Sequence, residues 1–171
     1  MKERTLILFK PDAVQRGLIG EILSRFEKCG LKIIGMKMVW ADEDFARKHY
    51  REDLDIRYKE VEIKYGRNVR TELVKYLKEG PVVAFVLEGI DAIKVTRKIV
   101  GSTYPNESAA GTIRGDFAHI SKEYANTHNV MVRNLIHASG DVEDAAEEIP
   151  VWFSPKELHS YKTVHDIICL E

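Results

Sequence analysis

Apolar residues recur along this chain in two rhythms, and the switches between them divide it into elements. Thr5 to Lys10 (TLILFK) and Val82 to Leu87 (VVAFVL) are short, nearly unbroken apolar runs, as expected of strands buried on both faces. Pro11 stops the first run, because it has no N–H for a ladder and pushes Lys10 toward an extended conformation. From Leu31 to Trp40, residues Ile34, Met36, Met38 and Trp40 alternate with Ile33, Gly35 and Val39. This predicts a long strand, apolar on both faces over much of its length, with one face suited to an oligomer contact. Asn134 to Ala138 reads as a fourth, short strand that brings His137 to its end.

The helical rhythm appears between these runs. Ile19, Ile22, Leu23 and Phe26 share one face, with Gly30 behind them, which predicts a helix over Ile19 to Cys29. Asp42 is placed to cap a short helix that ends near Tyr50, with Arg47, Lys48 and His49 in its last turn. A further helix is expected from Thr71 to Lys78, stopped by Gly80-Pro81. Glu88-Gly89 is expected to turn the chain toward Asp91, the cap of a helix running to Val100. Ser139-Gly140-Asp141 turns into another helix capped by Asp141, and Ser154-Pro155-Lys156-Glu157 is a capping box. Three stretches lack a period. Arg51 to Asn68 is strongly charged and only loosely assignable as irregular or partly helical, Ser102 to Phe117 reads as a long loop of the functional kind, and Ala118 to Asn129 is polar. In order the elements contain β-α-β-β-α-β with additional helices, the pattern of an α+β, ferredoxin-like antiparallel sheet in a single domain over residues 1–171.

Composition narrows the picture rather than changing it. With 171 residues, 44% hydrophobic and 31% charged, the chain suits one soluble domain with a sizeable core. A formal net charge of −1 gives no global field for nucleic acid or an anionic membrane, so an anion would have to be held by local cations. Cys29 and Cys169 lie too far apart in sequence for a metal motif or a disulfide framework, and no apolar run reaches spanning length. The expectation is a cytoplasmic protein with neither a membrane nor a nucleic-acid partner.

The candidate chemistry centres on His137. A nucleophilic histidine needs a group that fixes which ring nitrogen is protonated, and Glu148, two helical turns beyond Asp141, is the candidate. Taken alone, His137 reads more readily as an ordinary hydrogen-bonded histidine than as a nucleophile. Glu148 likewise belongs to an acidic set with Glu143, Asp144 and Glu147 that suits a solvated face. Neither G-x-x-x-x-G-K-[ST] nor G-x-G-x-x-G occurs, which excludes the usual glycine cradles for phosphate. What remains is Arg97, Thr103, Arg114 and Lys10, side chains of the type that grip phosphate oxygens, although each could be a surface residue. With a histidine nucleophile they point to phosphoryl transfer. A phosphoramidate holds the group at a potential near that of a nucleoside triphosphate, so the group can leave again.

Five stretches, in order, carry a resemblance. Lys10-Pro11-Asp12-Ala13-Val14, Gln15-Arg16-Gly17-Leu18-Ile19-Gly20, Gly80-Pro81-Val82-Val83, Gly111-Thr112-Ile113-Arg114-Gly115-Asp116-Phe117 and Asn134-Leu135-Ile136-His137-Ala138-Ser139 look like the signatures of the nucleoside diphosphate kinases. The resemblance covers nearly the whole chain outside two lengthened segments. It implies that His137 is the active histidine and Glu148 its orienting carboxylate. Ser139 resembles the hydroxyl that bonds near the histidine, and Tyr50 the phenol lining the site. Arg97, Thr103 and Arg114 match the residues that hold the diphosphate with Mg²⁺, and Lys10 and Asn134 those that contact the ribose. Val69 and Leu73 fall in the base clamp. The implied reaction moves a γ-phosphoryl group from a nucleoside triphosphate to His137 and then to a nucleoside diphosphate. Mg²⁺ would arrive on the nucleotide rather than on a protein site, and the family's hexamers or tetramers imply a homo-oligomer.

The chain departs from the family pattern in three places. Gly140 follows the serine where the family has Asp, which here comes one residue later as Asp141. Val69 stands where the base-stacking aromatic would be. The segments Arg51 to Asn68 and beyond Phe117 are lengthened, so Tyr58 or Tyr65 from the first, or closure by the second, is expected to supply the missing surface for the base. The main rival is an RNA-binding module, because ferredoxin-like sheets also stack bases on strand aromatics. Each central strand offers only one Phe, which matches that pattern poorly, and a purely structural homologue would not need His137, Arg97 and Arg114 together.

Overall fold

The computed structural model describes residues 1–169, so Leu170 and Glu171 of the expected domain lie outside the described residues. Four strands, β1 (Lys2–Phe9), β2 (Lys32–Val39), β3 (Val82–Ile90) and β4 (Ile136–Ala138), form one sheet in the order β2-β3-β1-β4. Every pairing is antiparallel, and the order is that of the expected ferredoxin-like sheet. Central β1 explains the unbroken apolar run. Alternate side chains enter two separate cores, Ile7 and Phe9 with Phe85 and Leu87 on one face, Leu6 and Leu8 with Ala84 and Val86 on the other.

Helices α2 (Ile19–Lys28) and α7 (Ala92–Val100) close the first face through Ile22, Phe26 and Val100. The second face is closed by α3 (Glu43–His49), α6 (Val69–Leu77) and α10 (Val142–Trp152), which contribute Ala46, Val74, Leu77 and Trp152. Truncating a side chain such as Leu8 to alanine in these fully buried layers would cost about 2–5 kcal/mol. Short helices complete the chain: α1 (Pro11–Gln15), α4 (Asp53–Arg57), α5 (Lys59–Tyr65), α8 (Ile113–Phe117), α9 (Lys122–Thr127) and α11 (Val164–Cys169).

Several local expectations are corrected. β1 starts at Lys2 and β3 runs to Ile90, because Glu88 does not turn the chain. It accepts ion pairs from Lys2 at 3.0 Å, Arg4 at 3.0 Å and Lys32 at 3.2 Å, so charged residues hold strand ends that hydrophobic pattern alone would stop short. Asp91 does not cap α7 with its side chain. Its backbone is left-handed (φ 48°) and its carboxylate accepts from the Met1 amino group at 3.1 Å. Arg51 to Asn68 holds both α4 and α5, and the loop after Ser102 ends in α8, where the Thr112 side chain accepts from Gly115 N–H. Among the described residues no helix is long and apolar enough to cross a membrane.

At the outer edge of the sheet a bulge between Ile33 and Gly35 turns two carbonyls of β2 outward. The chain after α10 covers them. His159 N–H donates to Ile34 at 2.7 Å and the Tyr161 hydroxyl to Ile33 at 2.6 Å. Gly35 is needed here, since a Cβ would lie 2.8 Å from the Glu157 carbonyl.

Candidate active site

The site lies where β4 joins the end of β1. Leu8 pairs with His137 and Phe9 with Ile136, so the residues just beyond the ladder, Lys10 and Asn134, face each other. Lys10 Nζ donates to Asn134 Oδ1 at 2.7 Å, and Asn134 Nδ2 donates to the Thr103 carbonyl at 2.8 Å. Leu135, between Asn134 and the strand, has a positive φ of 69°, unusual for a residue with a Cβ. Asp12 holds it there. One oxygen of that buried carboxylate accepts the Leu135 N–H at 3.2 Å and the other accepts the Tyr76 hydroxyl at 2.5 Å.

His137 projects into a cleft of about 320 Å³. Its Nε2 lies 2.9 Å from each oxygen of Glu148, and the Ser139 hydroxyl donates to the same carboxylate at 2.7 Å. Burial would raise the Glu148 pKa, but the neighbouring His137 charge and these hydrogen bonds outweigh it and bring the carboxyl down to about 2. An ionised carboxylate can only accept, so Nε2 carries a proton in either state of the ring, and in the neutral ring Nδ1 holds the lone pair. Ser139 is fully buried and does not line the cleft. It acts on Glu148 and also accepts from Leu6 N–H at 3.2 Å, which ties the carboxylate to β1.

At the reacting end three cations, Lys10, Arg97 and Arg114, line the cleft without a carboxylate pairing any of them among the described residues. Arg114 is buried, and four of its five N–H groups are taken by the carbonyls of Gly101, Ser102, Asn134 and Ile136. Burial, with repulsion from Arg97, lowers its pKa to about 10. Burial and repulsion from Arg114 lower Lys10 to about 7, against the attraction of Asp12. Arg97, in the last turn of α7, and Thr103 are exposed at the rim. Such uncompensated positive charge is a ready site for an anion.

Sequence reasoning passed over three residues. His49 is buried with both ring nitrogens unpartnered among the described residues, and it meets His137 edge to face with centroids 4.7 Å apart. Burial, aided by the His137 charge, pushes its pKa down to about 3 and keeps it neutral. Asp12 was visible inside the Lys10-Pro11-Asp12 motif, and His49 beside Tyr50, but neither residue type signals burial by itself. The third is Arg67, which joins the two lengthened segments. Its guanidinium forms a bidentate pair with Glu72 and donates to Ala125 O at 2.7 Å, Asn126 Oδ1 at 3.1 Å and Val130 O at 2.9 Å. Of the expected site residues, Lys10, Tyr50, Val69, Leu73, Arg97, Thr103, Arg114, Asn134, His137 and Glu148 all line the one cleft. Tyr50 is buried, its hydroxyl is unpartnered among the described residues and its pKa is raised by burial. Tyr58 lines the cleft too, whereas Tyr65 does not and instead lies under the Lys64 ammonium.

A family model described as nucleoside diphosphate kinase matches residues 3–158. The chain belongs to the nucleoside diphosphate kinase family. It is 42% identical over 160 residues to the nucleoside diphosphate kinase of Borreliella burgdorferi, covering 94% of this chain and 92% of that one. The corresponding enzyme of Pyrococcus furiosus is 46% identical over 159 residues, covering 93% and 88%. A structure of the Borrelia burgdorferi enzyme, a transition-state mimic with bound vanadate and ADP, superposes with a TM-score of 0.90 over 96% of this chain and 95% of that one. The protein is therefore a phosphotransferase acting on nucleotides, and the RNA-module alternative falls away. Phe9 and Phe85, the aromatics it would have used, are fully buried.

Proposed function

We propose that His137 is the nucleophile of a two-step phosphoryl exchange. Its Nδ1 lone pair attacks the γ-phosphorus of a nucleoside triphosphate, the bond from that phosphorus to the β–γ bridging oxygen breaks, and the nucleoside diphosphate leaves. A terminal β-phosphate oxygen of a second diphosphate then attacks the same phosphorus and frees Nδ1. The observation that carries this reading is the pairing of Nε2 with an ionised Glu148, which leaves Nδ1 unprotonated in a cleft lined by Lys10, Arg97 and Arg114. Glu148 orients the ring and steadies charge on it, and Ser139 fixes Glu148.

The diphosphate is held by Arg97, Thr103 and the remaining N–H of Arg114. Lys10 and Asn134 hold the ribose hydroxyls, with the Tyr50 phenol lining the reacting end. Val69 and Leu73, one turn apart on α6, take one face of the base. The donors present fit Mg²⁺ arriving on the nucleotide. Magnesium demands hard oxygen ligands, but the carboxylates lining the cleft are already engaged, Glu148 by His137 and Ser139, Glu72 by Arg67, Asp53 by Arg57 and Asp144 by Arg51. The tightest cluster of metal-ligand types among the described residues, His49, His137 and Glu148, is nitrogen-rich. Carried in on the nucleotide, Mg²⁺ would neutralise part of the charge on the transferring group.

Residues 1–171 act as a single domain of a cytoplasmic homo-oligomer, a hexamer or tetramer. The exposed Met36 and Met38 on edge strand β2, with Trp40 just beyond its end, support the assembly, and the exposed free Cys29 and Cys169 suit a reducing compartment. Incubation with γ-labelled ATP should give acid-labile, base-stable label that maps to His137. Label elsewhere, or persisting in His137→Ala, would refute the reading.

A further inference from the structure

The outer half of the cleft is built by the two lengthened segments, and they form one body. Arg67, at the start of α6's N-terminal approach, spans from Glu72 on α6 to Ala125 and Asn126 on α9 and to Val130 beyond it. This buried guanidinium clamps α9 over the cleft. Tyr58 and Val61 enter from the first segment, Met131 and Val132 from the chain following α9, and they face the same space as Val69 and Leu73. These six side chains give the slot its apolar surface, set among charged neighbours.

The end of that slot has a definite polarity. Lys122 and Asn126 stand four residues apart on α9, hence on one helix face, and both line the cleft. Asn126 presents its oxygen to Arg67 at 3.1 Å. A guanidinium can only donate, so the amide cannot be the other way round, and Nδ2 is left with its two donors. The Lys122 ammonium lies over the Tyr104 ring at 5.6 Å and makes no ion pair among the described residues. Carboxylates at this end are already used, Glu72 by Arg67 and Asp53 by Arg57. The hydroxyls of Tyr58 and Tyr104 can serve in either sense.

We propose that α9 reads the outer edge of the bound nucleobase through Lys122 and Asn126, and so favours bases with a carbonyl oxygen at that edge over bases with an amino group there. Guanine O6 and uracil O4 can accept from these donors, whereas the adenine and cytosine amino groups would meet donors with a donor. Stacking alone accepts every base, so the added helix would turn an indifferent slot into one with a 6-oxopurine and 4-oxopyrimidine preference. This rests on the nucleotide-exchange reading of the cleft given above.

The test follows discharge of the phosphorylated enzyme by GDP, ADP, UDP and CDP. It uses the wild type, Asn126→Asp, Lys122→Gln and the double variant. Asn126→Asp keeps an acceptor for Arg67, so the clamp on α9 persists while the two donors are lost. The expected GDP-to-ADP and UDP-to-CDP ratios in kcat/KM are about fivefold, as for one net hydrogen bond. They should shrink in each single variant and approach one in the double variant. Ratios near one in the wild type, or ratios that survive the double substitution, would overturn the proposal while leaving the exchange reaction standing. Failure of any nucleoside triphosphate to phosphorylate His137 would overturn both.

Discussion

The two ends of the cleft are built on different physical terms. At the reacting end, His137 sits on a strand of a sheet that is buried on both faces, its partner Glu148 is held by Ser139, which is itself tied to β1, and Asn134 bridges Lys10 and the Thr103 carbonyl. At the base end, short charged helices with exposed Ile56 and Ile63 depend on two arginines, Arg67 and Arg70, for their placement. Chemistry that tolerates little displacement of the reacting atoms is carried by the stiff end. Accommodation of different bases falls to the end with fewer constraints.

Removing the proposed nucleophile gives the widest contrast. His137→Ala should lower exchange by more than about ten-thousandfold while ADP affinity, measured calorimetrically, changes little, because the binding contacts come from other segments. At the other end, Arg67→Met should cost about 3 kcal/mol of stability by leaving Glu72 without its partner, and should weaken ADP binding by loosening α9. If its melting temperature matched that of the wild type, the two ends would not differ in the way described. Glu148→Gln should slow phosphorylation of His137 by about ten- to a hundredfold and leave ADP affinity near its wild-type value.

A pH series separates the ends further. His49 is held neutral in the fold, with a pKa of about 3 against an ordinary 6.5, so the unfolded chain takes up its proton first and stability falls as pH drops from 6.5 toward 3. Glu148, lowered to about 2 from 4.5, contributes stability that is present above pH 4.5 and lost as pH falls toward 2. Both therefore weaken the reacting end in acid. In thermal melts, His49→Asn should remove the part of the loss between pH 6.5 and 4.5, and an unchanged slope there would contradict the burial argument. The smallest effect is expected at the base. Tyr58→Ala should weaken ADP, GDP and CDP by about fivefold, the low end for a stacking aromatic, while Tyr65→Ala should leave all three unchanged.

The same division governs what could be read from the chain alone. Thr5 to Lys10 and Val82 to Leu87 announced the central strands because burial on both faces leaves an unbroken apolar run, and the motif residues followed from them. The charged starts and ends, Lys2 to Arg4 and Glu88 to Ile90, were missed because ion pairs between distant residues hold them, and no local period records that. Asp91 illustrates a related failure. Its residue type favours a cap, but the Met1 amino group, far away in sequence, claims the carboxylate. His49 escaped notice as a member of a basic last turn, since only the three-dimensional packing buries it against His137 and Trp152. The lengthened segments were opaque for the same reason. Arg51 to Asn68 has too little apolar surface to show a helical face, and its order comes from Arg67 and from Arg70 pairing with Asp55.

For protein engineering, the Arg67 clamp makes the two lengthened segments a single transplantable cassette. A chimera that received Arg51 to Asn68 without Ala118 to Val130 would place a guanidinium in its interior with three of its acceptors missing. Swapping only the second segment would leave carbonyls and an amide oxygen facing no donor. Grafts into a shorter scaffold should therefore move both segments together with Glu72, and libraries that shuffle these regions should cross over outside the pair.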